Sequence, residues 1–157
     1  MTDFVFNIAK GRVGSYVQQV KDGSPADSRL VVVPIETSGI EADATLKDHD
    51  NLSVLLAGTS NEQSTMGRKY LQASDITLTV DDTNERLDID ISDITWTGAT
   101  GNPISALVVC YIPDGNAAGG VSADTAVIPL TKHDFVVTPD GSDIVAQINA
   151  AGFYRAS

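Results

Sequence analysis

Two short runs of strict alternation constrain this chain more than any other feature. Ile76, Leu78 and Val80 alternate with Thr77 and Thr79, and Leu87, Ile89 and Ile91 alternate with Asp88 and Asp90. A period of two is the signature of a strand with one buried face, because successive side chains leave a pleated backbone on opposite sides. The polar residues 81–85 between the runs supply a turn, so the two strands are expected to pair as an antiparallel hairpin. After Ile91 the apolar parity slips, to Ile94 and Trp96. An unbroken strand would send Trp96 to solvent, so the slip predicts a bulge or sharp bend near Ser92 and Asp93.

The remaining apolar pattern is mostly of the same kind. Residues 29–36 form a β-branched run suited to burial on both faces, and Pro34 within it predicts a sheet edge or a bulge. Residues 104–112 read as a core strand, preceded by the breakers Gly101, Asn102 and Pro103 and followed by a Gly-rich stretch over 113–120. Shorter strands are expected over 68–71, 126–130 and 135–137, with Ile144, Val145 and Ile148 leading to Gly152, Phe153, Tyr154 and a short tail. Arg68 and Lys69 are expected to meet the acidic hairpin. Near the start, Ala9, Val13, Tyr16, Val17 and Val20 recur at helical spacing, which predicts a helix over 8–21 closed by Asp22, Gly23, Ser24 and Pro25. Gly11 and Gly14 cost that helix roughly 1 kcal/mol each against Ala, so it must lean on a neighbour. A second short helix is expected over 51–57, after a turn at 47–51. The fold class that follows is mainly β: an antiparallel β-sandwich or small barrel, with an N-terminal helix or arm over 1–22 and room for one further short helix.

The 157 residues suit one domain, 1–157, with a sizeable core. With hydrophobic residues at 42% and aromatics at only 6%, that core must rest on Val, Ile, Leu and Ala. The single cysteine, Cys110, lies in the apolar run 107–112 and reads as a small buried hydrophobe, so folding calls for no disulfide. The formal net charge is −11, and the excess is concentrated in residues 37–100, which carry twelve acids and four bases. Such a surface repels phosphate and lacks Lys/Arg clusters, so no nucleic-acid partner is expected; it suits a basic protein partner or divalent cations. No basic and apolar leader opens the chain and no apolar run approaches membrane-spanning length, so a soluble chain with no membrane partner is expected.

The polar residues assemble no catalytic set. His49 lies between Asp48 and Asp50, and His133 between Lys132 and Asp134, but adjacent residues rarely aim at one atom. Neither histidine has the i, i+4 partner or compact Cys/His set of a metal site, so both read as loop or hydrogen-bonding residues. Residues 81–88 have the oxygen density of a calcium loop. Counted from Asp82, however, the sixth position is Leu87 and the twelfth Asp93, where an EF-hand requires Gly and Glu; an irregular calcium site stays open. Asp88 and Asp90 are expected to form a charged outer face that blocks edge-to-edge pairing. No nucleophile elbow and no phosphate loop occurs. The expectation is a protein that is not an enzyme, with no catalytic residues, no cofactor and no dedicated metal ligands.

The segment Ile128-Pro-Leu-Thr-Lys-His-Asp-Phe-Val-Val-Thr-Pro-Asp-Gly-Ser-Asp-Ile-Val-Ala-Gln-Ile-Asn-Ala-Ala-Gly-Phe-Tyr-Arg-Ala-Ser157 resembles a family of small structural proteins from tailed-bacteriophage virions. Phe6-Asn-Ile-Ala-Lys-Gly-Arg12, Glu41-Ala-Asp-Ala-Thr-Leu-Lys-Asp48 and Asp82-Thr-Asn-Glu-Arg86 add to the likeness. The resemblance implies a protein made in the host bacterial cytoplasm and carried in the virion, on the capsid surface, as a decoration (cement) protein. Its implied partners are the major capsid protein and copies of itself, as a homotrimer. Candidate contact residues are Phe4, Phe6 and Tyr16 in the near-neutral N-terminal segment and Phe153, Tyr154 and Arg155 near the other end, since aromatic residues and Arg are enriched at interface hot spots. The opposing reading is that these residues close the domain's own core. Two other functions stay open: a tail or head-tail connector component, and a glycan-binding β-module, which would need an exposed aromatic platform.

Overall fold

In the computed structural model, residues 2–115, 123–149 and 151–157 are described; Asn116 to Gly120 of the expected Gly-rich breaker lie outside them. The chain runs β1 (Phe4–Val5), α1 (Val13–Asp22), β2 (Arg29–Glu36), α2 (Asp43–Leu46), α3 (Leu52–Ala57), β3 (Lys69–Leu71), β4 (Ile76–Asp81), β5 (Arg86–Ile91), β6 (Ile94–Trp96), β7 (Ile104–Ile112), β8 (Ile128–Val137), β9 (Ile144–Ala146) and β10 (Tyr154–Ala156). The fold is mainly β, with antiparallel sheets, one N-terminal helix and a couple of short helices, and the sheets close no barrel. The principal sheet has the order β1-β8-β7-β2-β3; β10-β5-β4 and β6-β9 form two smaller ones.

Alternation in the sequence is realised in the hairpin. Ile76 pairs with Ile91, Leu78 with Ile89 and Val80 with Leu87, and Asp81 with Arg86 closes the turn end. Ile76, Ile89 and Ile91 are buried. The parity slip after Ile91 is a change of sheet: the chain bends at Ser92 and Asp93, and β6 leaves β5 to pair with β9. Trp96 thereby stays inside, with its indole N–H donating to the Gly67 carbonyl at 3.0 Å.

The principal sheet is covered on both faces, which is why β7 is buried at every position. Leu30, Val32, Leu107, Val109 and Tyr111 on one face pack with α1, the hairpin, β6 and β9. Val31, Val33, Ile35, Val108, Cys110 and Ile112 on the other pack with Phe6, α2 and α3. Each fully buried Val, Leu or Ile contributes about 1.5–3 kcal/mol of transfer free energy, so the two clusters, with Trp96, Tyr111 and Phe6 as their buried aromatics, carry the fold.

Several local expectations are corrected. The helix predicted over 8–21 is split: a 3-10 turn at Asn7–Ala9 precedes α1, because Gly11 takes a left-handed φ of 71° that an α-helix excludes. Gly14, inside α1, serves packing instead; a Cβ there would lie 2.8 Å from the Leu87 side chain, so its absence lets the helix settle on β5. The strands expected over 126–130 and 135–137 are one strand, β8, in which Pro129 sits at a register irregularity against Cys110. Pro34 lies in an interior strand, beyond the reach of β3, which pairs only with Leu30, Val31 and Val32, and next to the irregularity at Ile35 and Glu36. α2 was not foreseen. Arg68 and Lys69 do not meet the hairpin: Arg68 is clamped by Glu62 and Asp124, and Lys69 lies over Trp96. Asp88 and Asp90 guard no edge, because β5 is the middle strand of its sheet.

Candidate functional site

A cleft of about 450 Å³ opens between the principal sheet and the small sheets. Its floor is set by the in-facing side chains of adjacent strands, Val32 from β2 and Leu107 and Val109 from β7, opposed by Ile91 and Ile94. Half-buried Phe135, Ile148, Phe153 and Tyr154 form the walls. Asp3, Gln147, Asn149 and Arg155 stand exposed around the mouth, and Asp134 borders it with its carboxylate turned to Lys132.

Four of the six residues marked from the sequence meet here. Phe4 borders the cleft because β1 pairs with β8, although its ring packs edge-on against Phe6 at 5.1 Å on the far face, and Phe153, Tyr154 and Arg155 reach the cleft because β10 pairs with β5. Gly152 makes that turn: its φ of 87° is left-handed, and a Cβ would lie 2.2 Å from the Ile89 carbonyl oxygen. The Phe153 N–H then donates to that same oxygen at 2.9 Å. The other two residues lie elsewhere. Phe6 is completely buried in the core on the far face of the principal sheet. Tyr16 stacks on Tyr111 at 4.8 Å between ring centroids.

His133 projects from β8 into the cleft wall. One ring nitrogen lies 2.9 Å from the Thr131 hydroxyl and the other 3.5 Å from the Asp3 carboxylate, with the Phe153 ring edge-on at 6.1 Å. Burial pulls its pKa below the ordinary imidazole value, against the opposing pull of Asp3, so the ring is held neutral. His49, in the turn before α3, hydrogen-bonds Glu41 at 2.6 Å and does not line this cleft. The Asp3 carboxylate also accepts the Asp134 N–H at 2.7 Å. Arg155 is committed to Asp88, which raises the guanidinium pKa and lowers that of the carboxyl.

Two charged clusters escaped sequence reasoning. The Lys132 side chain is fully buried, donating to the Thr2 carbonyl at 3.1 Å, to Asp43 at 3.2 Å and to Asp134, with the Phe4 ring 5.5 Å away. Burial pushes the Asp43 carboxyl up, but hydrogen bonds from Thr2 and Lys132 outweigh it and leave the pKa lowered. A strand-period signal existed, since Lys132 and Asp134 are two apart and share a face. Arg68 makes paired hydrogen bonds to Glu62, at 2.8 and 2.7 Å, and to Asp124, at 2.6 and 2.9 Å, and these raise its pKa. Nothing local in the sequence joins Arg68 to Asp124.

Two carboxylates of the acidic turn, 81–88, are engaged within the chain: Asp81 accepts from Asn84 and pairs with Arg86, and Asp88 pairs with Arg86 and Arg155. Among the described residues no three His, Cys, Asp or Glu side chains converge as metal ligands, and no helix is long and apolar enough to cross a membrane. Cys110 is buried, and burial raises its thiol pKa. The chain matches no protein-family model, no curated protein and no solved structure.

Proposed function

We propose that this chain is a structural protein of a tailed-bacteriophage virion, a capsid decoration protein that bridges major capsid subunits as a homotrimer and catalyses no reaction. The observation that carries the proposal is the likeness of residues 128–157, together with the shorter segments near 6–12, 41–48 and 82–86, to that family of virion proteins. The architecture suits such work: an acidic β-rich domain with an apolar-walled cleft at its surface has contact area to bury and polar residues occupied in holding the fold. A trimer seated on a repeating lattice makes its later contacts intramolecular, so weak single contacts can sum to an avidity gain of roughly 10²- to 10⁴-fold.

Quantitative mass spectrometry of purified particles tests the proposal, with removal of the protein as the companion experiment. Many copies distributed over the shell, and a shell that ruptures more easily without them, are the expected results. A ring of copies at a single vertex would assign the chain to the head-tail connector or tail. Particles free of the protein would overturn the proposal. The glycan-module reading needs an aromatic platform, and Trp96, the sole tryptophan, is only 2% exposed.

A further inference from the structure

We propose that the cleft is a socket for one large apolar side chain, aromatic or branched aliphatic, presented by a partner protein on a segment that also carries Lys or Arg. The inference rests on the structural-protein reading only for the partner being a protein. Protein interiors leave few voids larger than a water molecule, whereas about 450 Å³ falls in the range of sites that take up a ligand. The floor is apolar on both sides, from Val32, Leu107 and Val109 against Ile91 and Ile94, so the favoured guest is apolar.

Charge at the mouth selects what flanks that guest. Asp3 stands exposed there, His133 beside it is held neutral, and Arg155 is already paired with Asp88. Asp134 adds no charge at the mouth, since its carboxylate is held by Lys132 on the opposite face of β8, which leaves Asp3 as the unneutralised carboxylate among the described lining residues. The mouth therefore favours a cationic approach. Insertion of a side chain fits better than addition of a strand to the outer edge of β8. The Asp134 N–H on that edge is already taken by Asp3, and the register of β8 with β7 is irregular between Ala106 and Ile104.

A yeast-displayed library of short random peptides, sorted against the labelled full chain, tests the socket. Enriched peptides are expected to carry one Trp, Phe, Leu or Ile beside Lys or Arg, and to shift the methyl NMR signals of Val32, Leu107 and Val109. Ile148→Trp, which fills the cleft, and Asp3→Lys, which reverses the mouth, are each expected to weaken binding by roughly tenfold or more. The NMR readout on the unaltered chain decides the matter should either variant fold poorly. No enrichment, enrichment of acidic peptides, or binding that leaves those methyl signals unmoved would overturn the inference. Self-association abolished by Ile148→Trp would also overturn it, by giving the socket to a second copy. Failure of the peptides with the protein still coating particles removes the socket and leaves the structural role standing; peptide binding with particles free of the protein does the reverse.

Discussion

Replacing Lys132 by Met tests the most heavily committed polar group in the molecule. The ammonium is fully buried and donates to Thr2, Asp43 and Asp134, so it ties β1 and α2 to β8. Met keeps most of the apolar stem and removes the charge. Breaking a fully buried pair costs about 3–5 kcal/mol, but the Asp43 and Asp134 side chains are 26% and 34% exposed and can be rehydrated. The expected loss is therefore nearer 2–3 kcal/mol, a drop in Tm of roughly 5–10 °C for a domain of this size. The double variant Asp43→Asn, Asp134→Asn should lose more, about 3–5 kcal/mol, because it leaves the ammonium buried without a counter-charge. Urea unfolding followed by the fluorescence of Trp96, buried and the sole tryptophan, gives both values from shifts in midpoint at constant slope. A Lys132→Met protein as stable as the parent would refute the reasoning, since desolvation would then match the attraction. So would a double Asn variant that proves the milder of the two.

Three further outcomes follow from the geometry. Gly152→Ala, forced into a left-handed φ and against the Ile89 carbonyl, should cost about 1–3 kcal/mol and loosen β10, read as faster amide exchange at Phe153. Cys110 should resist a disulfide-exchange reagent in the native protein and react at once in denaturant, since its thiol is buried and its pKa raised; reaction under native conditions would contradict the packing of β7. For His133 the folded pKa lies below the unfolded value, so the unfolded chain binds the proton more readily. Its contribution is intact above about pH 6.5 and is lost as pH falls from there through the folded pKa; Asp43, also lowered, adds a second loss below about pH 4. His133→Gln should flatten the first of these declines while leaving the second.

The hairpin was legible because one buried face forces Ile76, Ile89 and Ile91 into register, and the run of β7, apolar but for Ser105, read as a core strand. The continuity of β8 was not, since Pro129 and the charged Lys132 and Asp134 read as interruptions; they persist in the ladder because a bulge absorbs the proline and partners from Thr2 and Asp43 absorb the charge. α2 is a single turn whose only buried residue is Leu46, too short for a periodic signal. Candidate contact residues were chosen by type, and the sequence offered no means of telling that Phe6 is interior, with the Phe4 ring packed against it, while Phe153 lines a cleft. That difference comes from strand pairing across most of the chain, which no local pattern encodes.

Val5 and Phe153 stand on walls of one cavity although most of the polypeptide separates them. A nascent or half-folded copy thus has no seat to offer, because the first strand needs β8 and the last needs β5 before the walls exist. Recognition would then double as proofreading: only finished copies could be enrolled in a larger body, and misfolded ones would be passed over with no separate inspector.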